Sequence, residues 1–259
     1  MLLAIDSGNT NIVFAIFTDD GEVAGEWRAA TNSNRTADEF GVWLGQLIVR
    51  DQINQDDINA AIIATVVPAN LVHLQDLCRK YFECEPLVVG GPDIDLGLKI
   101  LIDNPKEVGA DRLCNAVAAH AIYQGPIQII DFGTATSFDV VDAEGNYCGG
   151  VIAPGINLAL EALHMGAAQL PRVAIERPKN VIGSSTVTAM QSGIFWGYVS
   201  MIEGMTRRIS EEVDGDITTV ATGGLAAMFA DATDSIDHWE NDLTLRGLLS
   251  IHGLNSNHG

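Results

Sequence analysis

Positively charged residues are scarce in this sequence, which carries 14 Lys and Arg side chains against 34 Asp and Glu side chains. The resulting net charge of −20 at pH 7 repels the phosphates of nucleic acids and the headgroups of anionic membranes. We therefore expect neither a nucleic acid nor a membrane among its partners. The same charge repels a small anionic substrate. Such a substrate would need bound cations, and Mg²⁺ together with a monovalent cation are the expected ones.

Long apolar runs and metal-binding patterns are also missing. No uninterrupted apolar run approaches the roughly 20 residues of a membrane span. The chain begins directly with a predicted strand and shows neither the basic region nor the cleavage site of a signal peptide, so we expect a cytoplasmic protein. The four cysteines have no paired metal-ligand spacing and the six histidines form no close pair, so we expect buried or incidental thiols.

A short polar segment between two apolar runs is the first positive feature. This segment, Asp6–Thr10, predicts a tight turn between two strands, and we call it the first clip. Its glycine lets the backbone approach a ligand, Asn9 and Thr10 can donate to phosphate oxygens, and Asp6 can hold Mg²⁺ directly or through water. An ordinary hairpin turn has the same sequence pattern, so one copy alone decides nothing.

The pattern occurs a second time, in the segment Asp131–Ala135, which we call the second clip. Each clip is followed by an acidic turn that ends in glycine. Gly21 and Gly145 come 15 and 14 residues after the aspartate of their clip. The repeat predicts two like domains, residues 1–120 and 121–259, whose clips would grip a polyphosphate.

Strands and helices alternate after the first clip, as in an α/β domain with helices packed on a mixed sheet. The sequence Thr36-Ala37-Asp38-Glu39 has the form of a capping box and predicts the start of a helix. The β-branched run Ala60–Val67 predicts a strand covered on both faces, which Pro68 ends. A helix over Ala69–Tyr81 and a strand around Leu87–Val89 follow.

An acidic and a basic residue are adjacent near the middle of the chain. Asn104-Pro105-Lys106-Glu107 predicts a helix start, with Gly109–Arg112 just inside the helix. This arrangement places Asp111 and Arg112 near the positive end of the helix dipole, where they could act as a working pair. A first-turn acid with an exposed neighbour is a common structural alternative. Because the clips are present, we favour a functional role.

The second half contains three further motifs. The dense glycines of Gly149–Gly155 suggest a backbone packed against a ligand or a neighbouring strand. Gly183–Thr186 caps a long helix that is apolar on nearly all sides, so we expect burial of this helix in a dimer. Thr222–Gly224 leaves room for a purine or a ribose, although a helix-entry turn looks the same. Asp242 starts the last predicted helix.

Taken in order, these motifs resemble those of the type III pantothenate kinases, which belong to the superfamily of actin-like ATPases, sugar kinases and Hsp70-like ATPases. The resemblance covers nearly the whole length. It implies ATP-dependent phosphorylation of pantothenate at its primary hydroxyl, which gives 4′-phosphopantothenate in the first step of coenzyme A synthesis. It also implies two ribonuclease H-like domains and a homodimer. The matching segments are Asp6–Thr10, Asn104-Pro105, Gly109–Arg112, Asp131–Ala135, Gly149–Gly155, Thr186 and Thr222–Gly224.

The resemblance also implies roles for individual residues. Asp111 would be the general base, and Arg112 would hold the pantothenate carboxylate. Thr186 would contact the substrate near the dimer interface, and Asp131 would bind an activating K⁺ or NH₄⁺. The remaining pantothenate contacts would be Gly109 and Ala110. The contacts to ATP, bound with Mg²⁺, would be Asp6, Ser7, Gly8, Asn9, Thr10, Asn11, Ile12, Val13 and Thr134.

Two positions depart from the family pattern. Ile102 stands where many members have a tyrosine near the pantothenate, which removes one expected substrate contact. Ala15 stands where many members have glycine, and we expect it to affect only local packing.

Two other functions fit parts of this pattern. Some relatives resemble accessory factors in transcription, so the chain could be a nucleotide-binding regulator without kinase activity. A nucleotide or polyphosphate hydrolase on the same fold is the second alternative. The acidic charge argues against DNA contact, and the intact Gly109–Arg112 segment favours catalysis. Transfer of phosphate to pantothenate or to water distinguishes kinase from hydrolase.

Overall fold

The computed structural model describes residues 1–167 and 170–256, which form two compact units. The first unit comprises Met1–Ile122 and the C-terminal segment that begins at Leu243, and the second comprises Tyr123–Asp242. The sequence predicted a division after residue 120, with the whole C-terminal part in the second domain. The structure instead assigns the final helix to the first unit.

The boundaries of the regular elements follow the sequence patterns closely. In chain order the strands are β1 (Leu2–Ser7), β2 (Asn11–Phe17), β3 (Val23–Ala30), β4 (Ala60–Thr65), β5 (Leu87–Val88), β6 (Ile127–Phe132), β7 (Ala135–Val141), β8 (Tyr147–Pro154), β9 (Thr218–Gly223) and β10 (His238–Glu240). The helices are α1 (Ala37–Arg50), α2 (Pro68–Tyr81), α3 (Ala110–Ile122), α4 (Ile156–Gly166), α5 (Thr186–Ser210), α6 (Ala226–Ala230) and α7 (Leu243–Ser256). Single 3₁₀ turns span Gln55–Asp57 and Pro105–Glu107.

The two units contain sheets of the same plan. The first sheet has the order β3-β2-β1-β4-β5, and the second has the order β10-β9-β6-β7-β8. In the first sheet β1, β2 and β3 are antiparallel, whereas β4 and β5 run parallel to β1. In the second sheet β6, β7 and β8 are antiparallel, whereas β9 and β10 run parallel to β6. The predicted α/β class with mixed sheets is therefore confirmed.

Helices cover both faces of the central strands in the first unit. Alternate residues of β1 and β2 pack with the apolar faces of α1 and α2, where Phe40 and Leu44 are fully buried or nearly so. Burial of one such side chain contributes about 1.5–3 kcal/mol. The predicted capping box starts α1: the Glu39 N–H donates to Thr36 Oγ1 at 3.3 Å, and the Thr36 N–H donates to Glu39 Oε2 at 2.8 Å.

Close packing on α3 explains why α7 belongs to the first unit. A Cβ atom built at Gly247 would lie 2.1 Å from the carbonyl oxygen of Cys114, so only glycine allows this approach. Beside it, Thr244 Oγ1 donates to Asn115 Oδ1 at 2.8 Å. Together α3 and α7 contact β4, and α7 also contacts β1, so they cover the sheet face that α1 and α2 leave open.

An aromatic core fills the second unit. Phe132 at the end of β6 stacks on Phe229 of α6 with ring centroids 5.2 Å apart, and Phe195 of α5 stacks on Phe229 at 5.3 Å. Phe138 of β7 is also fully buried in this cluster. The inner faces of β6 and β7 therefore pack against α5 and α6.

The predicted start of α3 differs in the structure. The segment that follows Asn104 is a separate 3₁₀ turn, because Val108 is extended, and α3 begins only at Ala110. Helix α5 is not buried on all sides within this chain. Four of its buried residues, Ser192, Phe195, Val199 and Ile202, share one face, whereas Val187 is 42% exposed.

None of the helices in the described part of the chain combines the length and the apolar character that crossing a bilayer requires.

Candidate active site

The aspartates of the two clips occupy matching positions in their sheets. Asp6 is the fifth residue of β1 and Asp131 is the fifth residue of β6. Asp6 pairs with Val13 in register, seven residues later, whereas Asp131 pairs with Ser137, six residues later. The first clip is therefore one residue longer. This extra residue accounts for the difference between the two clip-to-glycine spacings in the sequence.

The first clip exposes its polar tip and buries its base. Asn9, Thr10 and Asn11 are exposed, and the Gly8 N–H donates to the Asn11 carbonyl at 3.0 Å. Ser7 is fully buried, and its hydroxyl accepts a hydrogen bond from Asn70 Nδ2 at 3.2 Å. The tip can therefore offer both side chains and backbone to an anion.

Two further residues of the predicted ATP contacts lie just after the tip. Ile12 is fully buried in the core of the first unit, and Val13 is half-buried. Their apolar side chains cannot donate hydrogen bonds. Any polar contact from these two positions would therefore come from the backbone.

Thr31 lies against the first clip from the end of β3. Its hydroxyl donates to the Gly8 carbonyl at 2.7 Å, and its N–H donates to the Thr10 carbonyl at 2.9 Å. Both contacts fall on the loop between β1 and β2. The loop is thus held from two sides, by Thr31 and, through Ser7, by Asn70.

The second clip lies beside the Thr222–Gly224 turn. A Cβ atom built at Gly223 would lie 2.8 Å from Asp131 Oδ1, and Gly223 has φ +91°, a backbone conformation that favours glycine. Within the clip, the Gly133 N–H donates to the Ala135 carbonyl at 3.0 Å, and Thr134 is exposed. The structure therefore brings together the predicted cation ligand and the predicted adenosine turn within the second unit.

Asp111 lies at the entrance of α3. Its Oδ1 accepts a hydrogen bond from the Arg112 N–H at 2.8 Å, which orients the carboxylate on its own helix. A Cβ atom built at Gly109 would lie 2.5 Å from the same oxygen, so glycine makes room for the carboxylate. The Gly109 carbonyl accepts from the Leu113 N–H at 3.2 Å and begins the helix.

Cys114 of α3 carries a buried thiol. Burial raises the pKa of the Cys114 thiol, and the negative charges of Asp6 and Asp111 raise it further. The aspartate of the first clip and the predicted general base both belong to the first unit. The thiol itself stays protonated and unreactive.

Thr186 lies in the second unit, at the first position of α5. The residue before it caps this helix: Ser185 Oγ accepts from the Thr188 N–H at 3.2 Å, and the Ser185 N–H donates to Thr188 Oγ1 at 3.0 Å. Thr186 opens onto an apolar groove of about 530 Å³ beside α4 and α5. The groove is lined by Leu163, Leu170, Thr186, Ala189, Met190, Gly193 and Ile194.

Comparison with known protein families identifies the family to which this site belongs. The family model described as type III pantothenate kinase matches residues 2–208. A protein named type III pantothenate kinase from Paramagnetospirillum magneticum is 67% identical over 256 residues, which are 99% of this chain and 98% of the relative. The protein of the same name from Rhodospirillum rubrum is 64% identical over 255 residues, 98% of this chain and 99% of the relative. The chain belongs to the type III pantothenate kinase family.

Several solved structures have a fold similar to that of this chain. A putative Baf family transcriptional activator from Campylobacter jejuni has a TM-score of 0.60 at 18% identity, with 98% of this chain and 99% of that chain covered. A putative 2-dehydro-3-deoxygalactonokinase from Sinorhizobium meliloti has a TM-score of 0.60 at 14% identity, with 98% and 96% covered. At such identities the likeness shows the fold alone.

The two departures from the usual pantothenate kinase sequence have different surroundings. Ala15 is fully buried in β2 between Ala4 of β1 and Glu26 of β3, so the sheet accommodates its methyl group. Ile102 is half-buried in the bend before the 3₁₀ turn.

Sequence patterns did not reveal two residues that hold the first clip. Thr31 reaches Gly8 across 23 residues, and Asn70 reaches Ser7 across 63 residues. Neither belongs to a motif of its own. The one available signal was an asparagine in the first turn of an otherwise apolar helix face, which is a polar residue at a position that α2 buries.

Proposed function

We propose that this protein transfers the γ-phosphoryl group of ATP to the primary hydroxyl of pantothenate, giving 4′-phosphopantothenate in the first step of coenzyme A biosynthesis. The observation that carries the proposal is the placement of Asp111 and Arg112 at the entrance of α3, in the same unit as Asp6 of the first clip, in a member of the type III pantothenate kinase family.

Phosphoryl transfer depends mainly on positioning the reactants and on neutralising charge. The exposed tip of the first clip supplies amide and hydroxyl donors, which suit phosphate oxygens. Thr134 of the second clip supplies another hydroxyl. The family resemblance adds Ser7, Gly8, Ile12 and Val13 to the proposed ATP contacts, although the N–H and the carbonyl of Gly8 are already paired with Asn11 and Thr31.

Asp111 is the proposed general base. Its carboxylate is held at the helix entrance by the Arg112 N–H, and Gly109 leaves space beside it. An aspartate in this role orients the hydroxyl towards the phosphoryl group and accepts its proton late in the reaction. A strong base is therefore not required.

Arg112 is the proposed partner of the pantothenate carboxylate. A guanidinium can bind a carboxylate through two parallel hydrogen bonds, which fix orientation as well as charge. Gly109 and Ala110 would add contacts from the start of α3, and Thr186 would add a hydroxyl from α5.

The two clip aspartates are suited to the cations that ATP brings or requires. Mg²⁺ is usually bound by one or two carboxylates together with phosphate oxygens and water, so Asp6 alone is a sufficient protein ligand. Asp131 is the proposed ligand of K⁺ or NH₄⁺. The described residues contain no cluster of three or more His, Cys, Asp or Glu side chains that could hold a metal. The bound cations would offset the negative charge of both the protein and ATP.

Exposed apolar side chains support a homodimer. Met165 of α4 is 74% exposed, and Val181 and Ile182, just before α5, are 64% and 88% exposed. They belong to the same unit as the apolar groove at Thr186. Exposed apolar side chains of this kind mark interaction sites, and a second copy of the chain would cover them. Light scattering at micromolar concentration should show a dimer, and a monomer would contradict the proposal.

We place the enzyme in the cytoplasm, where its substrate ATP is found.

Release of ADP tests the reaction. Purified protein is mixed with ATP and Mg²⁺, with and without pantothenate, first in K⁺ and then in Na⁺, and the product mass is measured. We expect release that depends on pantothenate and is stimulated by K⁺. Bound ATP without any release would favour a nucleotide-binding regulator, and release that is indifferent to pantothenate would favour a hydrolase.

A further inference from the structure

We propose that Thr31 is a positioning residue that holds the first clip in the conformation that binds the phosphates of ATP. The inference rests on the proposed function in one respect, namely that the first clip binds ATP. Thr31 itself would not contact the nucleotide. It acts through the backbone of the clip.

The contacts of Thr31 fix two peptide groups of the loop. Its hydroxyl donates to the Gly8 carbonyl at 2.7 Å and its N–H donates to the Thr10 carbonyl at 2.9 Å. A carbonyl oxygen that faced a phosphate would repel it. Thr31 donates to both carbonyls and draws them towards β3. The negative ends of two peptide dipoles are therefore turned away from the phosphate side of the loop.

The orientation of the Gly8 carbonyl also sets the direction of a donor. The peptide bond between Gly8 and Asn9 is trans, so its N–H points opposite to its carbonyl. With the carbonyl held by Thr31, the Asn9 N–H points away from β3 at an exposed residue. Without the hydroxyl of Thr31, this peptide group could rotate and present its oxygen instead.

In the second unit, the residue that matches Thr31 supports its clip by a different contact. Asn11 pairs with Ala30 and Ala135 pairs with Pro154, so Thr31 and Gly155 each follow the strand end in register. A Cβ atom built at Gly155 would lie 2.1 Å from the Thr134 carbonyl oxygen. One clip is therefore held by a hydroxyl that donates, and the other by a glycine that allows direct backbone contact.

The test compares two substitutions at Thr31. Thr31→Val keeps the shape and removes the hydroxyl, whereas Thr31→Ser keeps the hydroxyl. Loss of one hydrogen bond should raise the Kd of a non-hydrolysable ATP analogue with Mg²⁺ about 3- to 10-fold in Thr31→Val. The KM for ATP should rise in parallel, while kcat and the KM for pantothenate stay within about twofold of the unaltered protein. Thr31→Ser should restore the affinity.

Thr18→Val is the matched control. Thr18 follows the other end of β2, and its hydroxyl accepts from the Glu22 N–H at 3.1 Å, so this variant also removes a hydroxyl–backbone bond from the first sheet. It should leave the affinity for the ATP analogue unchanged. Calorimetric titration measures the affinities, and thermal unfolding verifies that each variant is folded.

The outcomes separate this inference from the proposed function. Equal affinity of folded Thr31→Val and unaltered protein would overturn the inference, as would equal weakening in Thr18→Val or a failure of Thr31→Ser to restore binding. If the unaltered protein binds the ATP analogue but does not phosphorylate pantothenate, the proposed function is wrong. The affinities of the Thr31 variants would then still test the inference. Unaltered protein that does not bind the analogue would overturn both.

Discussion

The two units share one sheet plan but support their clips by different means. At the sixth position of the first strand, the first unit has Ser7, which is buried against the amide of Asn70, and the second unit has Phe132, which stacks on Phe229. The first clip thus rests on hydrogen bonds and the second on an aromatic core. Strands in the same register can therefore support a clip either by hydrogen bonds or by aromatic packing. The hydrogen-bonded support lies in the unit that contains Asp111.

The acidic turns, in contrast, are alike in both units. The Gly21 N–H donates to the Thr18 carbonyl at 3.0 Å, and the Gly145 N–H donates to the Asp142 carbonyl at 3.0 Å. Both glycines have positive φ, 82° and 86°. A turn that needs this conformation favours glycine wherever it occurs, so the repeat is clearest where backbone geometry is most restrictive.

Substitution of Asp111 should have the largest effect, because it tests whether the chemistry belongs to the first unit. Asp111→Asn keeps the size and the N–H contact of the side chain but removes the base, so turnover should fall about 10²-fold or more while both substrates still bind. Initial rates and calorimetric titrations measure this. Glu107→Gln, on the exposed 3₁₀ turn nearby, is the control and should be near normal. Near-normal turnover of Asp111→Asn would remove Asp111 from the role.

Gly155→Ala tests the support of the second clip. The new Cβ would lie 2.1 Å from the Thr134 carbonyl oxygen, so the backbone must shift. We expect a loss of about 1–3 kcal/mol in the free energy of unfolding, together with weaker ATP binding. Chemical denaturation and titration with an ATP analogue measure the two effects. Gly253→Ala on α7, where the new Cβ would meet open space, should be neutral or slightly stabilising. Equal behaviour of the two variants would contradict the close packing at Gly155.

The matching positions of Asp6 and Asp131 allow a direct comparison of cations. Asp131→Asn should lower the activity in K⁺ about tenfold, to the level in Na⁺, because the ligand of the monovalent cation loses its charge. Asp6→Asn should instead raise the Mg²⁺ concentration needed for half-maximal rate. Rates over K⁺ and Mg²⁺ titrations distinguish the two. Stimulation of Asp131→Asn by K⁺ at the normal level would exclude Asp131 as its ligand.

The capping boxes of α1 and α5 give the smallest expected effect. Thr36→Ala and Ser185→Ala each remove a side-chain acceptor from a helix N-terminus, so each should lower the free energy of unfolding by about 1 kcal/mol. Only Ser185→Ala should also raise the KM for pantothenate, because Thr186 is the next residue. Denaturation curves and initial rates measure both quantities. A similar change of KM in Thr36→Ala would show that the effect is not local.

Much of the fold was predictable because its determinants are local. Short apolar runs predicted β1, β2, β6 and β7, and the pairing of Thr36 with Glu39 predicted the start of α1. The clips were visible because a polar turn with glycine stands between two apolar strands. The start of α3 was misplaced because Asn104-Pro105 is equally typical of a 3₁₀ turn, and the extended Val108 that separates the two is not marked in the sequence.

The sequence by itself determined the repeat, the mixed α/β elements and the family, since each depends on residues close together in the chain or on motifs in fixed order. Only the tertiary structure decided that α7 packs on α3, that Asn70 supports Ser7 and that Thr31 holds the first clip. These contacts join residues that are far apart in the chain. Their partners are chosen by the sheet order and by the space between packed elements, which no local pattern records.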